Sequence, residues 1–156
     1  MSLVALKLTE KDNQLKLPVY SAAVVSGLHL LLAVRMSFFR IEHRLRKDDG
    51  KLDEDFYSSD AFKVASRTQL NHAEYSGVFV ALLLYLQARA DKTQNLTTTA
   101  KVACLLTTIG SVIFTIGFAT VENLSKTNKL KLIGATTRYA GFAALVLSVL
   151  QAGLQQ

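Results

Sequence analysis

The chain has 156 residues, half of them hydrophobic, with 18 lysines and arginines against 12 acidic residues and a formal charge of +6. Its charges are bunched into four stretches instead of being spread over faces, the pattern of a multi-pass membrane protein, and a single cysteine excludes an intrachain disulfide. The positive excess requires no acidic partner and no nucleic acid, since anionic lipid headgroups account for it.

In chain order, the first stretch, residues 1–17, is polar. Lys7, Glu10, Lys11, Asp12 and Lys16 interrupt it, so no continuous apolar core of a signal peptide precedes Pro18. Pro18 suits a first helical turn, where a missing N–H costs nothing. The first apolar segment runs from Val19 to Phe39. The connection after it, roughly Arg40 to Ser66, mixes bases with acids and holds a turn signal at Asp48-Asp49-Gly50. It reads either as an ordered cap over the membrane surface or as a solvated loop, and not as a nucleic-acid patch.

The second segment runs from about Arg67 to Ala88. Its uncharged part, Tyr75 to Ala88, covers only about 21 Å at a helical rise of ~1.5 Å per residue, against roughly 30 Å of hydrocarbon. To span, it must draw its polar first turns into the membrane. The third segment, Val102 to Val121, contains Cys104, read as a packing residue and not a nucleophile. The fourth is Leu132 to Leu154. Leu, Ala, Val, Gly and Thr dominate without strict alternation, which favours helices over barrel strands. The expectation is a single all-α domain over residues 1–156, a bundle of four transmembrane helices at about 19–39, 67–88, 102–121 and 132–154.

Lysines and arginines orient this bundle. The first and third connections with their flanks carry eleven, and the N-terminal stretch and second connection carry six. The positive-inside bias places the first and third connections in the cytoplasm or its organellar equivalent, and both termini across the membrane.

All four segments deliver polar groups to that basic side. Arg35 lies near the end of the first, Arg67 to Glu74 at the start of the second, Glu122 to Lys131 after the third, and Arg138 in the opening turns of the fourth. At about 100° per residue, Arg67, Asn71, Glu74 and Tyr75 share one face, while Gln69 and His72 point elsewhere. A charged face at that depth costs several kcal/mol unless it meets partners or water, so it is a candidate site, expected to face helix one or a neighbouring subunit. Arginines suit planar carboxylates and phosphates, which points to an anionic ligand with an apolar portion. Two alternatives stay open: a structural polar seam for Arg67, Asn71 and Glu74, and snorkelling to headgroups for Arg35 and Arg138.

The stretch Arg67-Thr-Gln69-Leu-Asn71-His-Ala-Glu74-Tyr75 resembles the Arg-x-x-x-Asn-x-x-Glu signature in the second helix of the MAPEG family, the membrane-associated proteins in eicosanoid and glutathione metabolism. Ala-Val-Arg35-Met-Ser-Phe-Phe-Arg40 at the end of helix one and the charged first connection are similar to that family too. The resemblance implies a homotrimer that binds glutathione between adjacent subunits at the cytoplasmic face. It assigns Arg67 to a glutathione carboxylate, Asn71 and Glu74 to its backbone and amino group, and Tyr75 and Gln69 to the same shell, with Arg138 among the binding residues. Arg35 is placed near the sulfur. Lys129 stands where some members have a thiol-activating arginine.

One departure matters. Where glutathione-binding members have Arg-x-x-Tyr-x-x-x-Tyr in the third helix, this chain has Ser111-Val-Ile-Phe114-Thr-Ile-Gly-Phe118. Both phenols and the arginine are missing, and each lost bond to a charged ligand costs about 1.5 to 3 kcal/mol. The resemblance therefore implies either a glutathione-dependent transferase or peroxidase acting on lipophilic electrophiles, or a non-catalytic subunit that contacts lipid or a larger membrane assembly. In a eukaryotic cell the expected compartment is the endoplasmic reticulum or a mitochondrial membrane.

Overall fold

The computed structural model describes residues 14–46 and 54–154. In chain order its helices are α1 (Leu17–Arg46), the short α2 (Glu54–Ser58), α3 (Asp60–Thr93), α4 (Thr98–Ala119) and α5 (Lys129–Leu154), and no strand occurs among the described residues. Pro18 falls in the first turn of α1, where its missing N–H breaks no intrahelical bond. Ser59 caps α3, its hydroxyl accepting from the Phe62 N–H at 3.3 Å, and Thr97 caps α4 in the same way from Ala100 at 3.2 Å. Between them Gln94 ends α3 in left-handed geometry, with φ of 53°.

The helices reach further than the apolar runs. Helix α1 continues past Phe39 to Arg46 and α3 begins at Asp60, so the first connection, read as Arg40 to Ser66, is corrected to the stretch between Arg46 and Asp60, with α2 inside it. Leaving the apolar layer does not end a helix. Arg, Glu, Lys and Ala at these ends are good helix formers, and α3 starts where Ser59 supplies a cap. The Asp48-Asp49-Gly50 turn and the first 13 residues lie outside the described residues.

The closest packing joins α4 to α5, which run antiparallel. Gly110 and Gly117 on α4 face Gly134 and Gly141 on α5; a Cβ on Gly110 would run into the backbone of Arg138, and one on Gly134 into that of Phe114. Small residues at seven-residue spacing let the two backbones touch. Asn128 fastens the turn between them, donating to the Gly117 carbonyl at 2.8 Å and accepting from the Lys131 N–H at 2.7 Å.

Helix α1 lies against α3, where His72 Nε2 is 3.0 Å from the Val25 carbonyl and the His72 and His29 rings stack at 6.1 Å. The main core gathers Val25, Phe79, Leu83, Leu86, Ala103 and Leu145 around Cys104, which is free and fully buried. Leu30, Leu31, Phe38, Leu147 and Leu150 face outward, a surface suited to lipid.

Among the described residues, three helices are long and apolar enough to cross a membrane: Leu17–Glu42 within α1, then Thr98–Ala119 and Lys129–Leu154. Helix α3 has 34 residues, about 51 Å at 1.5 Å per residue, which exceeds the hydrocarbon thickness. Its polar first half keeps it below the apolarity of the other three.

Candidate functional site

The rotation of α3 is set by its buried stripe. Thr68, His72, Ser76, Phe79, Leu83, Leu86 and Ala90 recur every three or four residues and turn inward. Arg67, Asn71 and Glu74 are turned away from that stripe: Arg67 and Glu74 are exposed, and Asn71 is half-buried with its amide donating to the Arg67 carbonyl at 3.0 Å. Within one chain they do not face α1, as one form of the expectation had it. His72 takes that place, because the heavy side chains Phe79, Leu83 and Leu86 fix which face goes inward and His72 lies on their line. Gln69 is half-buried on the same helix.

The face continues to Tyr75, and there it meets α5. The Tyr75 and Tyr139 rings contact edge to face with centroids 5.8 Å apart, and their hydroxyls are 3.5 Å from each other. Beneath them lies Arg138, only 1% exposed. Its guanidinium carbon is 3.9 Å from the Phe114 ring centre, 4.6 Å from Tyr75 and 5.3 Å from Tyr139. None of its three side-chain nitrogens has a hydrogen-bond partner. Arg138 does not snorkel, because it belongs to the inward row of α5 with Gly134, Gly141, Leu145 and Ser148. The cation rests on three ring faces, each worth about 0.5–2 kcal/mol. Glu74, the residue before Tyr75, is exposed on the same side of α3.

Of the other expected residues, Phe114 belongs to this cluster through the Arg138 guanidinium, while Arg35 and Lys129 stand on α1 and at the start of α5. Arg35, half-buried on α1, places its guanidinium 5.6 Å from the Phe39 ring centre. Lys129 is the exposed first residue of α5, about 13 Å along the helix from Arg138. Ser111, Phe114 and Phe118 are buried on α4; the Ser111 hydroxyl has no partner, and the Phe118 ring carries the Lys131 ammonium at 4.3 Å. A cavity of about 90 Å³ lies elsewhere, lined by Arg89, Thr93, Asn95 and Ser148, where Arg89 donates to the Ala152 carbonyl at 3.0 Å.

The structure thus brings together Tyr75 and Arg138, on a face that Glu74, Asn71 and Arg67 extend along α3. Two contributors had not been singled out as site residues. Tyr139 is half exposed beside Tyr75, and the signal for it was its adjacency to Arg138; His72 was signalled by its i+7 spacing to Phe79. Chemically, the face combines phenol donors with an exposed carboxylate, over a cation that is itself buried.

No curated protein and no solved structure gives a significant match to the chain. The family model of the MAPEG family matches residues 18–151, nearly its whole length. Together with three apolar helices, that match makes this a multi-pass membrane protein, and the chain belongs to the MAPEG family.

Proposed function

We propose that the protein is a glutathione-dependent transferase or peroxidase acting on lipophilic electrophiles, with α3 as the fourth membrane span and a closed homotrimer as the working unit. The observation that carries this reading is the outward face of α3. Arg67 and Glu74 are exposed in a single chain on a helix that continues into apolar residues, and a charge left against lipid at such depth costs several kcal/mol. A neighbouring subunit and a charged ligand between the two would remove that cost. In this reading Arg67 takes a carboxylate, Asn71 and Glu74 take the peptide backbone and amino group, and Tyr75 with Gln69 completes the shell. Arg35 and Lys129 reach the sulfur from elements that are apart in one chain, and a positive charge there favours the thiolate nucleophile.

Arg138 fits the same reading. The resemblance expects a phenol at Phe114 and an arginine one turn earlier, at Ser111; this chain instead brings an arginine from α5 onto the Phe114 ring. The test is calorimetric titration of the detergent-purified protein with glutathione. Binding at millimolar concentration or below, lost in Arg67→Ala, supports the reading, and absence of binding rejects it.

A second reading rests on Phe114 and Phe118, which are buried and offer no hydroxyl to a ligand. It makes the protein a non-catalytic member that presents its face to lipid or to subunits of a larger assembly. Absence of glutathione binding together with a stable complex of unlike subunits would favour it.

A further inference from the structure

We infer that Arg89 and the first turn of α4 form a phosphate-binding site at the end of the bundle opposite Arg67, and that it takes the headgroup phosphate of a membrane lipid. Arg89 lies about 33 Å along α3 from Arg67, so this site is separate from the glutathione face and stands without it.

The first observation is the cavity of about 90 Å³. The ends of three helices wall it: Arg89 and Thr93 from α3, Thr97 and Ala100 from the start of α4, and Ser148 and Ala152 from α5. One water needs roughly 10–15 Å³ of such space, so a tetrahedral oxyanion has room. No aspartate or glutamate lines the cavity, and the one formal charge on its wall is positive.

The second is the guanidinium. Arg89 donates to the Ala152 carbonyl at 3.0 Å, in the last turn of α5, where carbonyls have no intrahelical partner. That contact uses one of its five N–H groups. Its Nε is sealed from solvent without a hydrogen-bond partner, and Arg89 joins no ion pair among the described residues. Closing the end of α5 thus explains one donor and leaves the others for an oxyanion, to which a guanidinium presents two N–H groups side by side.

The third is the start of α4. Thr97 takes the Ala100 N–H at 3.2 Å, while the N–H groups of Thr98 and Thr99 come too early in the helix to meet a carbonyl within it. The positive end of a 22-residue helix therefore opens onto the same cavity as Arg89.

Depth names the source of the phosphate. Arg89 directly follows the uncharged run Tyr75 to Ala88, at the level where hydrocarbon gives way to headgroups. Leu147 and Leu150, on either side of Ser148 in α5, are exposed apolar surface for the acyl chains.

The test is thermal unfolding of the full-length protein in a neutral maltoside detergent, with dioleoylphosphatidylglycerol, dioleoylglycerol and inorganic phosphate as probes. Dioleoylphosphatidylglycerol at about ten times its dissociation constant should raise the transition temperature by about 3–6 °C, and dioleoylglycerol, with the same chains and no phosphate, by less than about 1 °C. Arg89→Gln should abolish the shift. Asn95→Asp should do the same, because Asn95 lines the cavity, is exposed and is held through its main-chain carbonyl, so the added charge repels phosphate and spares the fold. If Arg89→Gln does not fold, Asn95→Asp alone decides. A shift of equal size with millimolar inorganic phosphate keeps the site and makes free phosphate its source. Equal shifts with the two lipids, no shift with any probe, or a full shift in Asn95→Asp overturns the assignment. No readout involves glutathione, so the outcome leaves that reading untouched.

Discussion

The guanidinium of Arg138 sits 3.9 Å from the centre of the Phe114 ring, joining α5 to α4 at a point where neither side chain makes a hydrogen bond to the other. A charge in that position is favoured by the ring quadrupole and penalised by its loss of water, and the second effect is the larger. Arg138→Met, similar in length and without charge, should therefore raise the stability of the ligand-free protein by about 1–3 kcal/mol. Thermal unfolding in detergent measures this. A lower transition temperature would show that the three ring contacts outweigh the desolvation.

Two phenol restorations test how far the binding face extends onto α4. Phe114→Tyr and Phe118→Tyr each add a hydroxyl on a buried ring, and glutathione affinity should rise by about 3–10-fold for at least one of them, within the range of one added bond to a charged ligand. Titration decides. Unchanged affinity for both would confine the ligand to α3 and α5.

Arg67→Ala and Lys129→Ala should separate binding from chemistry. The first leaves a ligand carboxylate unpaired and should weaken glutathione by about 30-fold or more. The second removes a charge assigned to the thiolate, so turnover should fall with little change in apparent affinity. Steady-state kinetics with a chromogenic aryl halide distinguishes the two; identical profiles would end the division of roles.

The glycines provide an internal comparison. Gly110→Ala drives a methyl into the Arg138 backbone and should cost about 3 kcal/mol or more, whereas Gly27→Ala and Gly77→Ala have open space and should stabilise by roughly 0.5–1 kcal/mol. Chemical or thermal unfolding of the three variants gives the order directly.

Orientation is open to glycosylation mapping. Asn95-Leu-Thr lies between α3 and α4 and Asn123-Leu-Ser between α4 and α5, so the two acceptors fall at opposite ends of α4. The lysine and arginine distribution places Asn123 on the cytoplasmic side. Modification of Asn123 in microsomes would reverse the orientation.

Much of the helical framework was legible because uncharged runs of 20 or so residues have few alternatives. Val102 to Val121 and Leu132 to Leu154 fall within three residues, at most four, of the ends of α4 and α5. The extensions of α1 and α3 were not, since Arg, Glu and Lys continue a helix into water as well as they flank one. For the candidate site, the 100° rule placed Arg67, Asn71 and Glu74 on a common face, but which way that face turns depends on the heavier Phe79–Leu83–Leu86 stripe. The burial of Arg138 was further from reach. It follows from glycines on two different helices meeting in register, a relation between positions 14 to 34 apart that no local pattern encodes. Tyr139 was missed for the same reason: its partner Tyr75 is 64 residues away.

Backbone contact through Gly110 and Gly134 makes α4 and α5 a single mechanical unit. Because the main chain of Arg138 abuts Gly110, Arg138 and Phe114 ride together, and no rotamer change between them can absorb a displacement. Helix α3 meets this unit at Tyr75 through side chains only. The guanidinium is therefore shut in on one side by main chain that cannot yield without moving a whole helix, and on the other only by the Tyr75 and Tyr139 rings, whose side chains can.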